Sequence, residues 1–228
     1  MPTQTSPAEG ALQRRYDELK AEIERHNHLY YVEAKTEITD IEFDALLREL
    51  EAMEEAHPGL RTPDSPTQRV GGAPIAGFET VPHRVPMLSI DNTYSPDELR
   101  EFDTRVRKGL GEDKPAYVVE LKIDGVAMSL SYEDGVLARA ATRGDGERGD
   151  NVTENVRTIR NVPLRLKGAP PARMEVRGEV YMAASELERI NAERIEAGEE
   201  PYRNPRNTTA GTLKLLDPKQ VAKRRIHF

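Results

Sequence analysis

The chain has no cysteine and no tryptophan, and aromatic residues fill only 5% of its 228 positions. The first absence excludes disulfides, thiolate nucleophiles and cysteine-based zinc sites. The second, with so few other rings, leaves a core that must be aliphatic and lean, since 37% of residues are apolar. No apolar run approaches bilayer length, and Met1 to Gly10 is polar without a signal-peptide core. Internal repeats are lacking too. With 32% charged residues and a mean hydropathy of -0.69, a cytoplasmic, membrane-free protein is expected.

Positive charge is scarce overall but unevenly placed. The net charge is -7. Residues 1–156 hold 18 Lys and Arg against 31 Asp and Glu, a balance of -13, whereas residues 157–228 hold 15 against 9, a balance of +6. The last third could therefore face phosphate, or could simply be a solvated basic face.

The length suits one large domain or a small and a medium one. Leu12, Tyr16, Leu19 and Ile23 recur at helical spacing up to about His28. Thr39-Asp40-Ile41-Glu42 forms a capping box ahead of a second apolar stripe from Phe43 to Met53, ending near His57. These two helices are expected to pair antiparallel across a loop containing Tyr30 and Tyr31. Residues 58–86 carry six prolines and four glycines and read as an extended connector. Ser95-Pro96 announces a helix to about Leu110, and Ser185-Glu186-Leu187-Glu188 announces another that stops near Gly198.

Between them the period becomes strand-like. Val118–Ile123, Val126–Tyr132 and Val136–Thr142 read as three strands joined by two-residue turns at Asp124-Gly125 and Asp134-Gly135. Two such hairpins would oppose Lys122 to Ala127 and Ala127 to Thr142, and would oppose Glu120 to Ser129 and Ser129 to Ala140. One face would then carry Glu120 and Lys122 among Ala127, Ser129, Ser131, Ala138, Ala140 and Thr142. Small residues around two charged ones suggest a hollow for a planar ligand; a solvent-facing sheet with a surface ion pair is the alternative.

Lys122-Ile123-Asp124-Gly125 matches the Lys-x-Asp-Gly signature of covalent nucleotidyltransferases, a weak pattern alone. It stands with Glu120-Leu121, Ala141-Thr142-Arg143-Gly144-Asp145-Gly146, Asn155-Val156-Arg157-Thr158-Ile159, Glu175-Val176-Arg177-Gly178-Glu179-Val180 and Asn204-Pro205-Arg206-Asn207. Ahead of these come Tyr30-Tyr31-Val32, Phe43-Asp44, Thr62-Pro63-Asp64-Ser65-Pro66-Thr67 and Met87-Leu88-Ser89-Ile90. In order and spacing the set resembles the amino-terminal part of bacterial NAD⁺-dependent DNA ligases.

That resemblance implies an α+β chain: a tail over 1–10, a helical domain over 11–70 recognising nicotinamide mononucleotide, a connector over 71–86, and an adenylation domain over 87–228, built on antiparallel sheet and continuing past Phe228. It implies Lys122 as the nucleophile that takes AMP from NAD⁺, with Asp124 in support. Tyr30, Tyr31, Asp40, Phe43 and Asp44 would meet the nicotinamide half. Glu120 would accept from the adenine amine, Glu179 would hold ribose hydroxyls, and Ser89 and Ile90 would flank the adenosine. Arg143, Arg206 and Lys214 would meet phosphates. Mg²⁺ or Mn²⁺ is implied, zinc is not, and nicked duplex DNA would be the full-length enzyme's partner, weakly bound or not at all by this chain as a monomer. Four positions depart from the family's habit: Phe43 replaces Tyr, Ile90 replaces Leu, Asp150 replaces Glu and Lys214 replaces Arg. A non-catalytic nucleotide-binding module and an ATP-dependent nucleotidyltransferase are the competing readings.

Overall fold

The computed structural model describes residues 7–31, 35, 37–69, 77–90 and 92–228, without the side chains of residues 7, 8, 30, 31 and 40. The first unit is a helix pair, α1 (Pro7–Tyr31) and α2 (Asp40–Ala56). Thr39 caps α2 as its sequence foretells: its hydroxyl accepts from the Glu42 amide at 3.3 Å, and its own amide donates to the Glu42 carboxylate at 2.8 Å. Tyr16, Leu19 and Ile23 bury against Leu50, with Phe43 and Leu46 packed around them. Helix α1 already contains residues 7–10, assigned above to the tail, and residues 1–6 lie outside the described residues. Tyr30 and Tyr31 end α1 rather than sitting in a loop.

The span expected as an extended connector is partly folded. It contains 3₁₀ turns at Pro58–Leu60 and Pro66–Arg69 and a strand, β1 (Thr80–Pro82). Proline at the start of each turn suits the turn rather than an extended run. Beyond it come α3 (Pro96–Leu110), β2 (Val126–Glu133), β3 (Val136–Thr142), β4 (Arg148–Asp150) and α4 (Thr153–Arg157). The chain continues through β5 (Arg173–Met182), α5 (Ala184–Glu196), α6 (Pro205–Leu213), α7 (Pro218–Ala222) and β6 (Ile226–His227). The main sheet is antiparallel in the order β3-β2-β5-β6, and β1 pairs with β4 in a small second sheet. The α+β architecture is as expected. Helix α5 begins without a side-chain cap, so Ser185 is not the cap that its motif suggested.

Two expectations about the strands fail. Residues 118–123 belong to no strand, so no hairpin forms at Asp124-Gly125, and β2 takes β5 as its second neighbour. Val118 and Leu121 are 87% and 89% exposed. Strand propensity expresses packing against neighbours, and among the described residues none pairs with this arm. The Asp134-Gly135 turn does form, both residues having positive φ. A bulge between Ser131 and Tyr132 then moves the register by one, so Ser129 opposes Ala141 and Leu130 opposes Ala140. Ala140 therefore lies in the core beside Met128 and Leu130, not on the polar face. That face instead carries Ala127, Ser129 and Ser131 with Arg139 and Ala141 from β3 and Glu175, Arg177 and Glu179 from β5, as the pairings require. A cavity of about 340 Å³ lies at its hairpin end, lined by Ser131, Ala138, Arg139 and Glu175, away from the Gly125 end.

The helix pair is tied to the sheet unit through its 3₁₀ turns. Arg69, buried, donates to the carbonyls of Arg157 at 3.2 Å, Ile159 at 3.0 Å and Val162 at 2.9 Å. Arg157 returns a bond to the Pro63 carbonyl at 2.6 Å. Asp64, 2% exposed in its side chain, pairs with Arg165 and, at 3.2 Å, with Lys20 of α1. Burial alone would raise the Asp64 carboxyl; hydrogen bonds from Arg165 and Thr62 and the Lys20 charge outweigh it and hold the pKa at about 2, against an ordinary 3.8.

Two outcomes are expected from this architecture. Asp64→Asn should cost about 2 kcal/mol in urea-melt stability near neutral pH. Because the folded pKa lies below the unfolded one, that contribution is complete above about pH 4 and fades as pH falls toward 2; a cost that stays constant across that window would refute the linkage. At Gly125, where β2 begins, an added Cβ would sit 2.2 Å from the Val180 carbonyl oxygen. Gly125→Ala should therefore lose at least about 2 kcal/mol. Gly211→Ala on α6, where nothing lies within 4 Å, should leave stability unchanged or slightly raised.

Candidate active site

The candidate site gathers where β2 enters the sheet. Lys122 lies on the unpaired arm three residues before the tight contact of Gly125 with Val180, and its side chain and that of Glu120 are exposed. The same contact brings Glu179 in: its Cγ would be 3.0 Å from a Gly125 Cβ, and Glu179 opposes Ala127 across β2 and β5. Asp124 accepts from the Arg206 guanidinium at 2.9 Å, linking the arm to the amino end of α6. Asn204 caps that end through the Asn207 amide, which explains why Asn-Pro-Arg-Asn starts a helix there. The arm's other end is held at α3, where the Tyr117 hydroxyl donates to Asp103 at 2.7 Å.

Arg143 follows β3 directly. Its amide donates to the Ala127 carbonyl at 3.1 Å, and its guanidinium donates to the Ser89 hydroxyl at 3.2 Å. The turn after it is built for close approach. Gly144 has φ 58°, and an added Cβ would meet the Arg148 carbonyl oxygen at 1.9 Å. Asp145 accepts from the amides of Glu147 and Arg148, and those backbone bonds hold its carboxyl below the usual range.

Residues to which sequence reasoning gave no role turn out to fix the Ser89 segment. Arg177 donates to the carbonyls of Pro86 at 2.8 Å and of Val85, His83 meets the Arg143 carbonyl at 3.0 Å, and the Met87 amide donates to Gly146 at 2.8 Å. Recognising 173–182 as a strand would have placed Arg177 beside Glu179 on its polar face. Ser89 and Ile90 are both exposed.

Other expected residues sit elsewhere. Phe43 packs against the α1–α2 core, and Asp44 is exposed on α2. The side chains of Tyr30, Tyr31 and Asp40 lie outside the described residues. Lys214 caps the carboxyl end of α6, forms an ion pair with Asp150 and lies 5.6 Å from the Phe78 ring centre. The two departures at 150 and 214 thus touch each other: a shorter acid meets a cation without a fork. Among the described residues there is no group of three or more His, Asp or Glu that could hold a metal ion. No helix among them is long and apolar enough to cross a membrane.

Comparison with known proteins adds an independent line. Residues 75–228 match the family described as NAD-dependent DNA ligase adenylation domain, and residues 9–71 match that described as DNA ligase-like, N-terminal NAD+-binding domain. Relatives named DNA ligase include one from Alkalilimnicola ehrlichii, 54% identical over 95% of this chain and 32% of its own length. One from Geobacter metallireducens is 51% identical over 94% and 32%, and one from Chlorobaculum parvum is 55% identical over 95% and 33%. The chain spans about a third of the length of these relatives. With its helical and its sheet portions both matched, the chain belongs to the NAD-dependent DNA ligase family.

Proposed function

We propose that the chain carries out the first step of an NAD⁺-dependent DNA ligase, with Lys122 as the acceptor of AMP. The observation that supports this reading is the gathering near Gly125 of an exposed lysine, Glu179, the Asp124–Arg206 pair and the Arg143–Ser89 contact, drawn from five separate segments. In the step, the neutral Lys122 amine attacks the adenylyl phosphorus of NAD⁺. A P–N bond forms, the P–O bond to nicotinamide mononucleotide breaks, its phosphate leaves with the electron pair, and the amine gives up its proton. An ordinary lysine has a pKa of about 10.4, so the reaction needs nearby positive charge to populate the neutral form. Arg206 and Arg143 supply that charge and meet the phosphate oxygens. Asp124 holds Arg206 in place and stands nearby as proton acceptor.

Glu120 and Glu179 would recognise the adenosine, with Ser89 and Ile90 along its edge. The helical domain, residues 11–70, would present Tyr30, Tyr31, Asp40 and Asp44 to the nicotinamide half; Phe43 contributes packing. Lys214, held by Asp150, would be a weaker phosphate contact than an arginine. In the full-length protein, transfer of AMP to a 5′-phosphate and sealing by the 3′-hydroxyl would follow on nicked duplex DNA.

Intact-mass measurement after incubation with NAD⁺ and Mg²⁺ should show one added adenylyl group on Lys122. Lys122→Ala should show none while keeping its circular dichroism spectrum, and ATP should not replace NAD⁺. Labelling of the alanine variant would move the nucleophile elsewhere; labelling by ATP alone would make the chain an ATP-dependent nucleotidyltransferase.

Arg206→Ala separates catalysis from stability. Its pair with Asp124 is half exposed and should contribute less than about 1 kcal/mol to folding. Adenylylation by that variant should nevertheless slow by about tenfold or more. An unchanged single-turnover rate would remove Arg206 from the phosphate site.

A further inference from the structure

A second crevice lies between α1 and the stretch 160–167. It measures about 320 Å³ and is lined by Glu24, Asn27 and His28 on the helix and by Arg160, Arg165 and Lys167 opposite, with Arg69 at its base. The spacing of 24, 27 and 28 puts all three on one face of α1. The opposite wall continues the main sheet's edge: Leu137 donates to the Leu164 carbonyl, and Leu166 donates to that of Gly135, both at 2.8 Å. This edge lies at the Asp134-Gly135 end of β2, whereas Lys122 precedes the other end. Eight residues of strand separate the two by roughly 25 Å. The crevice is therefore a separate place from the adenylation site.

Two properties point to a ligand. Asn27 is 6% exposed, lines the crevice, and its Oδ1 has no hydrogen-bond partner among the described residues. A buried acceptor of this kind normally has one. Cationic side chains also outnumber acids along the walls, and burial raises the Glu24 carboxyl, weakening the one acid that lines them.

We propose that this crevice binds the phosphoryl group of a small phosphorylated molecule, its oxygens held by the Arg160–Lys167 wall and a hydroxyl proton of the ligand donated to Asn27 Oδ1. Inorganic phosphate and a nucleoside monophosphate both offer that chemistry. Either would bridge α1 to the sheet edge beside the Asp64–Arg165 pair, and so reinforce the present placement of the helix pair.

The test is an amide-resolved NMR titration of the whole chain at about pH 6, where phosphate retains an ionisable proton. Phosphate, sulfate and AMP are compared at equal ionic strength. Sulfate matches phosphate in size but has no proton to donate. Saturable shifts at 27–28 and 160–167 are expected, with sulfate several-fold weaker than phosphate. Lys167→Glu, on an exposed residue, should weaken phosphate by about tenfold. Asn27→Leu should erase the preference over sulfate. AMP tighter than phosphate at these same amides identifies a nucleotide as the occupant, and equal affinity identifies phosphate itself. Shifts confined to residues near Lys122, sulfate equal to phosphate in the native chain, or an unaltered titration of Lys167→Glu would each overturn the site.

Discussion

The candidate site depends on one steric condition, the absence of a side chain at residue 125. The Val180 carbonyl occupies the volume a Cβ would need, and this lets the backbone of β2 meet β5 closely enough to pair Val126 with Val180. That pairing sets Ala127 against Glu179 and leaves Lys122 at a short fixed distance along the chain from an anchored point. Asp124, between them, is tied to α6 through Arg206. The arm that carries Lys122 is thus secured at Gly125 and at Tyr117 while the residues between make no sheet pairing. Under the proposed function, a group that approaches phosphorus would be better served by an arm anchored at its ends than by a strand locked along its length.

A second condition governs how the two units meet. Among the described residues the junction uses backbone carbonyls and one buried carboxylate. Arg69 satisfies three carbonyls around the end of α4, and Asp64 gathers Arg165 and Lys20 from opposite sides. Such a junction is specific in direction, since losing one partner leaves a buried charge without compensation. Thr62-Pro63-Asp64-Ser65-Pro66-Thr67 is therefore a fastening as well as a connector. Its prolines start short turns that deliver Asp64 and Arg69 to their partners.

Local signals in the sequence were read correctly where local chemistry decides structure. The capping box at Thr39, the Ser95-Pro96 start of α3 and the Asp134-Gly135 turn all stand where their residues put them. Non-local features were not legible. The bulge at Ser131 moves Ala140 into the core, yet nothing in an alternating run of alanines announces where an extra residue will be accommodated. Residues 118–123 have the composition of a strand because their side chains suit pairing, but pairing needs a neighbour, and β2 gives that place to β5. The candidate site can be proposed from the sequence as a set of residue types. Its supports, Arg177 and His83, cannot, because their role is to bind carbonyls of a distant segment, which residue type alone does not encode.

The same distinction explains the exchange at Asp150 and Lys214. Each looks like a separate weakening when judged by its own chemistry, since the acid is shorter and the cation has lost its planar fork. In the folded chain they form one ion pair joining β4 to the end of α6, beside the Phe78 ring. A compact ammonium meets a short carboxylate well as a point charge, where a guanidinium would use a longer partner and two parallel bonds. The link between β4 and α6 therefore loses little by the exchange; any cost would fall on Lys214 as the phosphate contact of the proposed function. A lysine already committed to a carboxylate presents a partly neutralised charge with no second donor fixed in direction. Arg206 and Arg143, whose guanidiniums face Asp124 and Ser89, are the forked groups beside the arm, and under the proposed function the phosphate contacts would fall to them.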